Sequence, residues 1–546
     1  MHTLRIRSAA RVLAILLVAV SVLIGVTSTA TVAETTDPAV PAATDGPGNE
    51  PSSDGAGDGE TGDGVSQPDT SRSPAAASSP AAETPVITGD RPYGSPYGAA
   101  YPVTLESNFA RPYKSISSQA NSDFSQLEDL ERLIRGSYQT PSGVLRPEAE
   151  RISNEVLITV SRMENSHRVG RYLIAAAKNG VQVRFIHGLA SQSKESRALQ
   201  KKLNSIRYTS KRYKNKRTAY FKICAKGKSL ACLSTRSGAI MHSKMLLVRT
   251  TYTQDGDLAY GAVWSGSANL GGPSGERTFN NGLTIYNDKK IFEQMFKLFK
   301  HMYSERGVGN DTISYFKKNK AYWGYSQARS KGYTSAEAYR GMFYSNLANV
   351  TIYPTPIYAT PTNGKDPVLN LLDRVVPDSQ CTIKLQQNRF KYRRIAVAYK
   401  LAELADGGCK VSIVSFEDDL LVNRVAHCQQ YLRVCRPILD VFKTSNTRIE
   451  AYWAKPHDKT ILVDALLTRN LLNTEEIGVD GSRATNWPAG GVRTKLVQAG
   501  SAALTGSNLI VSDEITTETT DAAVYGEYIA HWKAILHSQE IKRYPY

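Results

Sequence analysis

Between residues 155 and 186 the chain reads as strand, helix and strand, and between 381 and 414 it does so again. In the first stretch 155–160 (EVLITV) has the length and apolar content of a buried strand. Val169, Leu173, Ile174 and Ala177 then recur at helical spacing up to the C-cap pair Asn179-Gly180, and 181–186 (VQVRFI) is the next strand. In the second stretch 381–385 is a strand, 395–405 a helix stopping at Gly407-Gly408, and 410–414 a strand. Each is a β-α-β unit, which requires a parallel or mixed sheet flanked by helices. Each half continues with a polar helical stretch, a further strand and a His-x-Lys tripeptide. The expected fold is therefore α/β: two similar lobes of mixed sheet flanked by helices, related by a pseudo-two-fold axis. They are placed at residues 91–350 and 351–546. Residues equivalent in the two lobes can then meet at their interface, where ligand clefts commonly form.

The ends of the chain read differently. Arg5, Arg7 and Arg11 precede an apolar run over 12–26, and Thr31-Val32-Ala33 fits a signal peptidase site. Residues 1–33 are thus expected to be a signal peptide, since the run is short for a membrane span of about 20 residues. Residues 34–90 lack Leu, Phe, Trp and Tyr and hold eleven acids against the single base Arg72. Such a segment buries too little apolar surface to offset its ordering entropy and is expected to be a disordered acidic linker. The formal net charge is +17, so the remainder is more basic than the whole and favours phosphate-bearing partners. The six cysteines form an even set, as in exported disulfide-bonded chains. The simplest pairing is local, 224 with 232, 381 with 409 and 428 with 435, and connectivity stays open. The spacings are not those of a zinc site.

The chemistry lies in two segments, His242-Ser-Lys244 and His457-Asp-Lys459, each followed by apolar residues that anchor a strand. On a strand, residues two apart point to one face, so each His and Lys should act together. One such tripeptide is commonplace. Each, however, is followed after a further strand by G-S-A-x-L, as Gly266-Ser267-Ala268-Asn269-Leu270 and Gly500-Ser501-Ala502-Ala503-Leu504. Glycine permits close approach to an anion, and Ser and Asn supply neutral donors.

With these paired motifs the chain resembles the phospholipase D superfamily, whose halves read H-x-K-x4-D followed by G-S-x-N. The resemblance covers most of residues 100–546. It implies two α/β lobes with one site between them, and cleavage of phosphodiesters through a phosphohistidine, without metal or other cofactor. The carried-over site residues are His242, Lys244, Ser267, Asn269, His457, Lys459, Asp464, Ser501 and Glu514. Three positions depart from the pattern: Arg249 for the first Asp, Asn280 for the first orienting carboxylate and Ala503 for the second Asn. An alternative register, Gly506-Ser507-Asn508, restores that Asn.

The residue types suit the reaction. Lys244 and Lys459 are point charges for phosphate. Ser267, Asn269 and Ser501 offer hydrogen bonds to nonbridging oxygens. One neutral imidazole attacks phosphorus while the other, protonated, serves the leaving oxygen. The resemblance implies His242 as nucleophile and His457 as acid and base. The reverse stays open, with Glu514 orienting His457. His167, His187, His301, His427, His531 and His537 are read as structural, Trp264 as core, and 291–303 as a core-facing helix. Residues 201–228 carry eleven Lys/Arg and no acid, with four aromatics interleaved. This run reads either as a solvated loop or as a grip on lipid heads or nucleic acid at the cleft edge. The expectation is a secreted, monomeric enzyme that cleaves or transfers phosphatidyl groups at a phospholipid or membrane surface. The rivals are a secreted endonuclease acting on nucleic acid and a catalytically weak anion-binding protein.

Overall fold

A computed structural model describes residues 98–544, apart from 99, 113–121, 165–167, 189–192, 225–228, 234–237, 272, 306–342, 346–348, 357–365, 416–437, 447–448, 469–489 and 540. The signal and linker segments, His167, His427 and the 428–435 cysteine pair lie outside the described residues.

In the first lobe the strands are β1 (Thr104–Ala110), β2 (Glu155–Val160), β3 (Gln182–Gly188), β4 (Ala219–Cys224), β5 (Met245–Tyr252), β6 (Leu258–Gly266) and β7 (Asn280–Tyr286). They form one seven-stranded sheet in the order β1-β7-β6-β5-β2-β3-β4. Strands β2, β3 and β4 run parallel and the other neighbours antiparallel. Strand alternation divides the apolar residues between two faces. Val156, Ile158, Leu246 and Val248 pack under helices α1 (Ser125–Gly136), α2 (Arg168–Lys178) and α3 (Lys194–Ser205). Leu157, Met245 and Leu247 pack under α4 (Lys289–Glu305), whose Ile291, Phe292, Met295 and Phe299 face the core as their spacing requires. Trp264 is buried in the core.

The second lobe repeats this strand for strand. Its strands are β8 (Phe343–Ser345), β9 (Val350–Pro354), β10 (Thr382–Gln387), β11 (Lys410–Ser415), β12 (Glu450–Trp453), β13 (Lys459–Leu467), β14 (Val492–Gly500), β15 (Ile515–Thr519) and β16 (Lys542–Arg543). The order β9-β15-β14-β13-β10-β11-β12 reproduces that of the first sheet, with β8 and β16 added at the edges. Strand β8 already belongs to this sheet, a few residues ahead of 351. Helices α5 (Pro367–Asp373) and α6 (Ile395–Asp406) cover one face, and α7 (Ala522–Leu536) follows β15. Asp366 caps α5 by accepting from Val368 N at 2.9 Å, with proline at the first helical position. Two local disulfides form, Cys224–Cys232 and Cys381–Cys409.

The lobes share their cores. Val350, Ile352 and Ile515 of the second lobe join the cluster beneath α4. In the opposite sense, α7 lays Tyr528 and His531 against Phe109 of β1, with ring centroids 4.9 and 4.4 Å apart. Among the described residues no helix is long and apolar enough to cross a membrane.

The basic run is not a simple loop, and its first part, up to Arg217, does not edge the H-x-K segments. Arg207–Tyr208 and Lys216–Arg217 pair as a short antiparallel ribbon that leads into the start of β4. Lys216 lies 4.2 Å from the ring centre of Tyr213, and Arg217 lies 4.1 Å from that of Tyr220. Strand β4 is parallel to β2, and the end of β2 faces the start of β5 through Thr159 and Met245. The ribbon therefore sits at the opposite end of the sheet from His242. The six residues of β4 alone span about 20 Å.

Candidate active site

His242 and Lys244 lie in the segment entering β5, which begins at Met245, and His457 immediately precedes β13, which begins at Lys459. Each segment is sewn to the other lobe by its backbone. His242 N donates to Asp513 O at 2.9 Å, just ahead of β15, and His457 N donates to Phe279 O at 2.8 Å, just ahead of β7. This reciprocal stitching delivers each imidazole to the first residues of the partner lobe's strand. His242 Nδ1 meets Glu514 Oε1 at 2.8 Å, and His457 Nδ1 meets Asn280 Oδ1 at 2.8 Å. Glu514 thus serves His242 across the interface, which overturns the alternative that it orients His457. The reason is that each orienting position begins a strand that faces the opposite lobe.

The orientation of Asn280 follows from its other contacts. Its Nδ2 donates to Ser274 O at 2.8 Å and Thr278 O at 2.9 Å, and carbonyls only accept. Oδ1 therefore faces His457, whose Nδ1 must carry a proton, leaving Nε2 with the lone pair when the ring is neutral. Ser267 Oγ donates to Asn280 Oδ1 at 3.2 Å, and Ser501 Oγ donates to Glu514 Oε2 at 2.5 Å. These hydroxyls hold the orienting groups rather than pointing free at a phosphate, which changes the part expected of them. Asn508 also donates to Glu514, so both registers of the second motif contribute, Ser501 from one and Asn508 from the other. Lys244 Nζ donates to His242 O at 2.5 Å and Lys459 Nζ to His457 O at 2.5 Å, so each ammonium folds back over its own histidine.

The motif glycines answer to a neighbouring strand. A Cβ on Gly266 would stand 2.5 Å from Asn281 O, and one on Gly500 would collide with Ile515 O. Close strand packing at the mouth of the site is sufficient reason for glycine there, before any approach of an anion.

Asp464 is not brought to this cluster. It lies five residues along β13 from Lys459, about 16 Å at strand rise, opposite Thr382 and Lys495. Arg249, at the equivalent place in the first lobe, pairs with Glu155 at 2.5 Å and covers Phe296. The exchange of Asp for Arg249 therefore leaves the cluster untouched.

Electrostatics set the site apart. Lys244 and Lys459 are 1% and 2% exposed, a costly position for two cations. Burial, and then the two lysines, hold both imidazoles well below the usual histidine range. Burial lowers Lys244 well below the ordinary lysine value and Lys459 to about 7, while Glu514 is pushed up to about 8. Burial is the largest cause in each case; the two lysines oppose it at Glu514 and add to it at the histidines.

Several site residues escaped sequence reasoning. Arg162 and Arg389 bear on the histidine and lysines electrostatically, the first on His242 and Lys244, the second on Lys459. They are equivalent positions, because Leu270 N donates to Arg162 O at 3.1 Å and Leu504 N to Arg389 O at 3.0 Å. Aligning the two halves two residues past β2 and β10 would have found them. Asp458, between His457 and Lys459, accepts from Asn281 Nδ2 at 2.8 Å and meets His531 Nε2 at 3.0 Å, all three buried. Asp513 accepts from the backbone N–H groups of Cys232 and Leu233, tying the first disulfide loop to the second lobe. Among the described residues no group of three or more His, Cys, Asp or Glu could hold a metal ion.

Residues 148–303 match the family model described as cardiolipin synthase, PLD-like domain. That span runs from before β2 to α4 and contains the first H-x-K and G-S-A-x-L segments. The match lies within the first lobe, and the two-lobed α/β architecture fits a phospholipase D-like fold. No curated protein sequence matches the chain. Similar solved structures include polyphosphate kinase from Porphyromonas gingivalis, at 13% identity and TM-score 0.42 over 80% of this chain and 50% of that one. Phosphatidylserine synthase from Haemophilus influenzae Rd KW20 is 10% identical, with TM-score 0.43 over 81% of this chain and 89% of that one. Nuc from Salmonella typhimurium, a phospholipase D family member, is 13% identical, with TM-score 0.23 over 37% of this chain and 95% of that one. The chain spans half the length of the polyphosphate kinase.

Proposed function

We propose that the protein is an exported phosphodiesterase of the phospholipase D type, working through a phosphohistidine on His242. The observation that carries this is the crossed arrangement of the histidines, His242 on Glu514 and His457 on Asn280, above two buried lysines. The asymmetry supports this division of roles. A nucleophilic imidazole becomes cationic on forming the P–N bond and stays so through the intermediate, which a carboxylate on Nδ1 stabilises. The acid must instead release its proton readily, which a neutral amide does not oppose.

In the first step Nε2 of His242 attacks phosphorus, the bond to the leaving oxygen breaks, and that oxygen takes the proton of His457 Nε2. In the second step water attacks phosphorus, His457 takes its proton, and the P–N electron pair returns to His242. Lys244, Lys459 and Asn269 attend the nonbridging oxygens. Ser267 and Ser501 keep the orienting groups in place.

Phosphatidyl esters at a membrane surface are the substrate read from a single two-lobed chain, expected to act as a monomer. A second reading, a nucleic-acid strand, is favoured by Arg162 and Arg389, equivalent cations on both lobes suited to phosphates flanking the scissile one. Export rests on the N-terminal segment, and the two disulfides are in keeping with it. The test is turnover of bis(p-nitrophenyl) phosphate, phosphatidylcholine vesicles and single-stranded DNA, each in excess chelator. Hydrolysis that persists with chelator and disappears in both His242→Ala and His457→Ala supports the reading. Activity surviving both substitutions would exclude it.

A further inference from the structure

The lobes differ at the one motif position where the second lacks its amide. In the first lobe Asn269 stands beside the lysine loop, with Oδ1 accepting from Ser161 Oγ at 2.8 Å. The antiparallel ladder of β2 and β5 ends at the Thr159–Met245 pair, and the next residue on the β2 side is the buried, apolar Val160, with Lys244 preceding Met245 on the other. In the second lobe the motif position is Ala503, and the residue opposite Lys459 is Gln387. The two lobes thus hold the same pair of side-chain types, one apolar and one carboxamide, with the places exchanged.

Gln387 is 2% exposed, and its Oε1 finds no partner among the described residues. Its Nε2 faces Thr460 O in a long contact of 3.5 Å; that carbonyl only accepts, so this orientation leaves Oε1 on the other side of the amide. Gln387, Lys459 and Ala503 line one cavity of about 30 Å³. A buried water occupies roughly 10–15 Å³ of such space and needs two or more polar partners. Most of the other polar walls are engaged, Arg394 with Asp366 at 2.7 Å, Gln498 with Pro367 O at 3.2 Å, and Thr355 with Ser512 O at 2.7 Å, while Thr516 also lines the cavity. Of the three N–H bonds of the Lys459 ammonium, one reaches His457 O.

We propose that Gln387 is a positioning residue for Lys459, acting through water held in this cavity. The water accepts from the Lys459 ammonium and donates to Gln387 Oε1, and Ala503 leaves the room that the water needs. The second lobe thereby supplies an amide from the neighbouring strand where the first lobe supplies one from the motif asparagine. The proposal rests on the reading that Lys459 holds the substrate phosphate, so its test does not depend on turnover alone.

The experiment measures binding of inorganic phosphate by calorimetry, together with kcat, KM and melting temperature, for three variants. Gln387→Val should weaken phosphate binding and raise KM by about ten- to hundredfold, the range for losing a hydrogen bond to a charged group. Gln387→Val combined with Ala503→Asn copies the first lobe and should recover most of that loss. Ala503→Val keeps Gln387 but fills the cavity, and should weaken binding without lowering the melting temperature. Phosphate binding unchanged in Gln387→Val would overturn the proposal, as would failure of Ala503→Asn to restore it in a folded double variant. Loss of turnover in the parent protein with phosphate binding and rescue intact would instead count against the phosphodiesterase reading alone.

Discussion

Glu514 and His242 come from different lobes and are 272 residues apart in sequence, yet their side chains meet at 2.8 Å. Its counterpart, Asn280 on His457, makes a contact of the same 2.8 Å from a shorter side chain that carries no charge. Replacing Glu514 with Gln should keep the contact and remove the charge that stabilises a cationic His242. We expect kcat to fall by about 10²–10⁴, the range for general acid–base and orienting groups, with KM changed little. The converse change, Asn280→Asp, sets a carboxylate on His457 and raises its pKa. The limb of the pH–rate profile that marks loss of the acid should then move to higher pH.

The division of labour can be read from a trapped intermediate. With a substrate whose leaving group needs no acid, His457→Ala should accumulate phosphate on His242, because the base for the second step is missing. Mass spectrometry after rapid quench should find the adduct in His457→Ala and none in His242→Ala. The adduct on residue 457 in a His242→Ala protein would reverse the roles.

Binding should be linked to protons. Lys459 is lowered to about 7 by burial, so in the free protein it is charged below that pH and neutral above it. Affinity for a phosphate anion should therefore fall as pH rises through about 7. A bound anion favours the charged lysine, so kcat should persist to higher pH than kcat/KM. Calorimetry in buffers of differing ionisation enthalpy should record proton uptake on binding near neutral pH.

Asp458 is fully buried and bonded to both Asn281 and His531, so it joins the lobes beside the site. Asp458→Ala leaves two buried polar groups unpaired and should cost about 3–5 kcal/mol of stability, seen as a lower midpoint in denaturant unfolding.

The basic ribbon lies at the far end of the first sheet from His242. Changing Lys211, Arg212, Lys214, Lys216 and Arg217 to Gln should weaken binding to anionic vesicles or DNA, most at low salt. Turnover of a small soluble phosphodiester should stay the same, because no residue of the ribbon reaches the paired histidines. Equal losses on large and small substrates would show that the ribbon acts on the site itself.

The sequence alone determined what local chemistry can write. Apolar period and glycine stops marked β2, α2, β3, β10, α6 and β11 nearly to the residue, since each is set by side chains adjacent along the chain. The repeat of those units carried the two-lobed α/β architecture, and the doubled H-x-K and G-S-A-x-L segments marked both histidines and both lysines. What the sequence left open is whatever depends on contacts across the interface. Tertiary structure decided that Glu514 orients His242, because the partner of an imidazole here is supplied by the opposite lobe. It set Asp464 and Arg249 apart from the site, since five residues of extended strand outreach any side chain. It moved the ribbon of the basic run, 207–217, to the far end of the sheet, because β4 runs parallel to β2 and so begins where β2 begins. It also brought Gln387 beside Lys459, a relation of neighbouring strands 72 residues apart that no local pattern records.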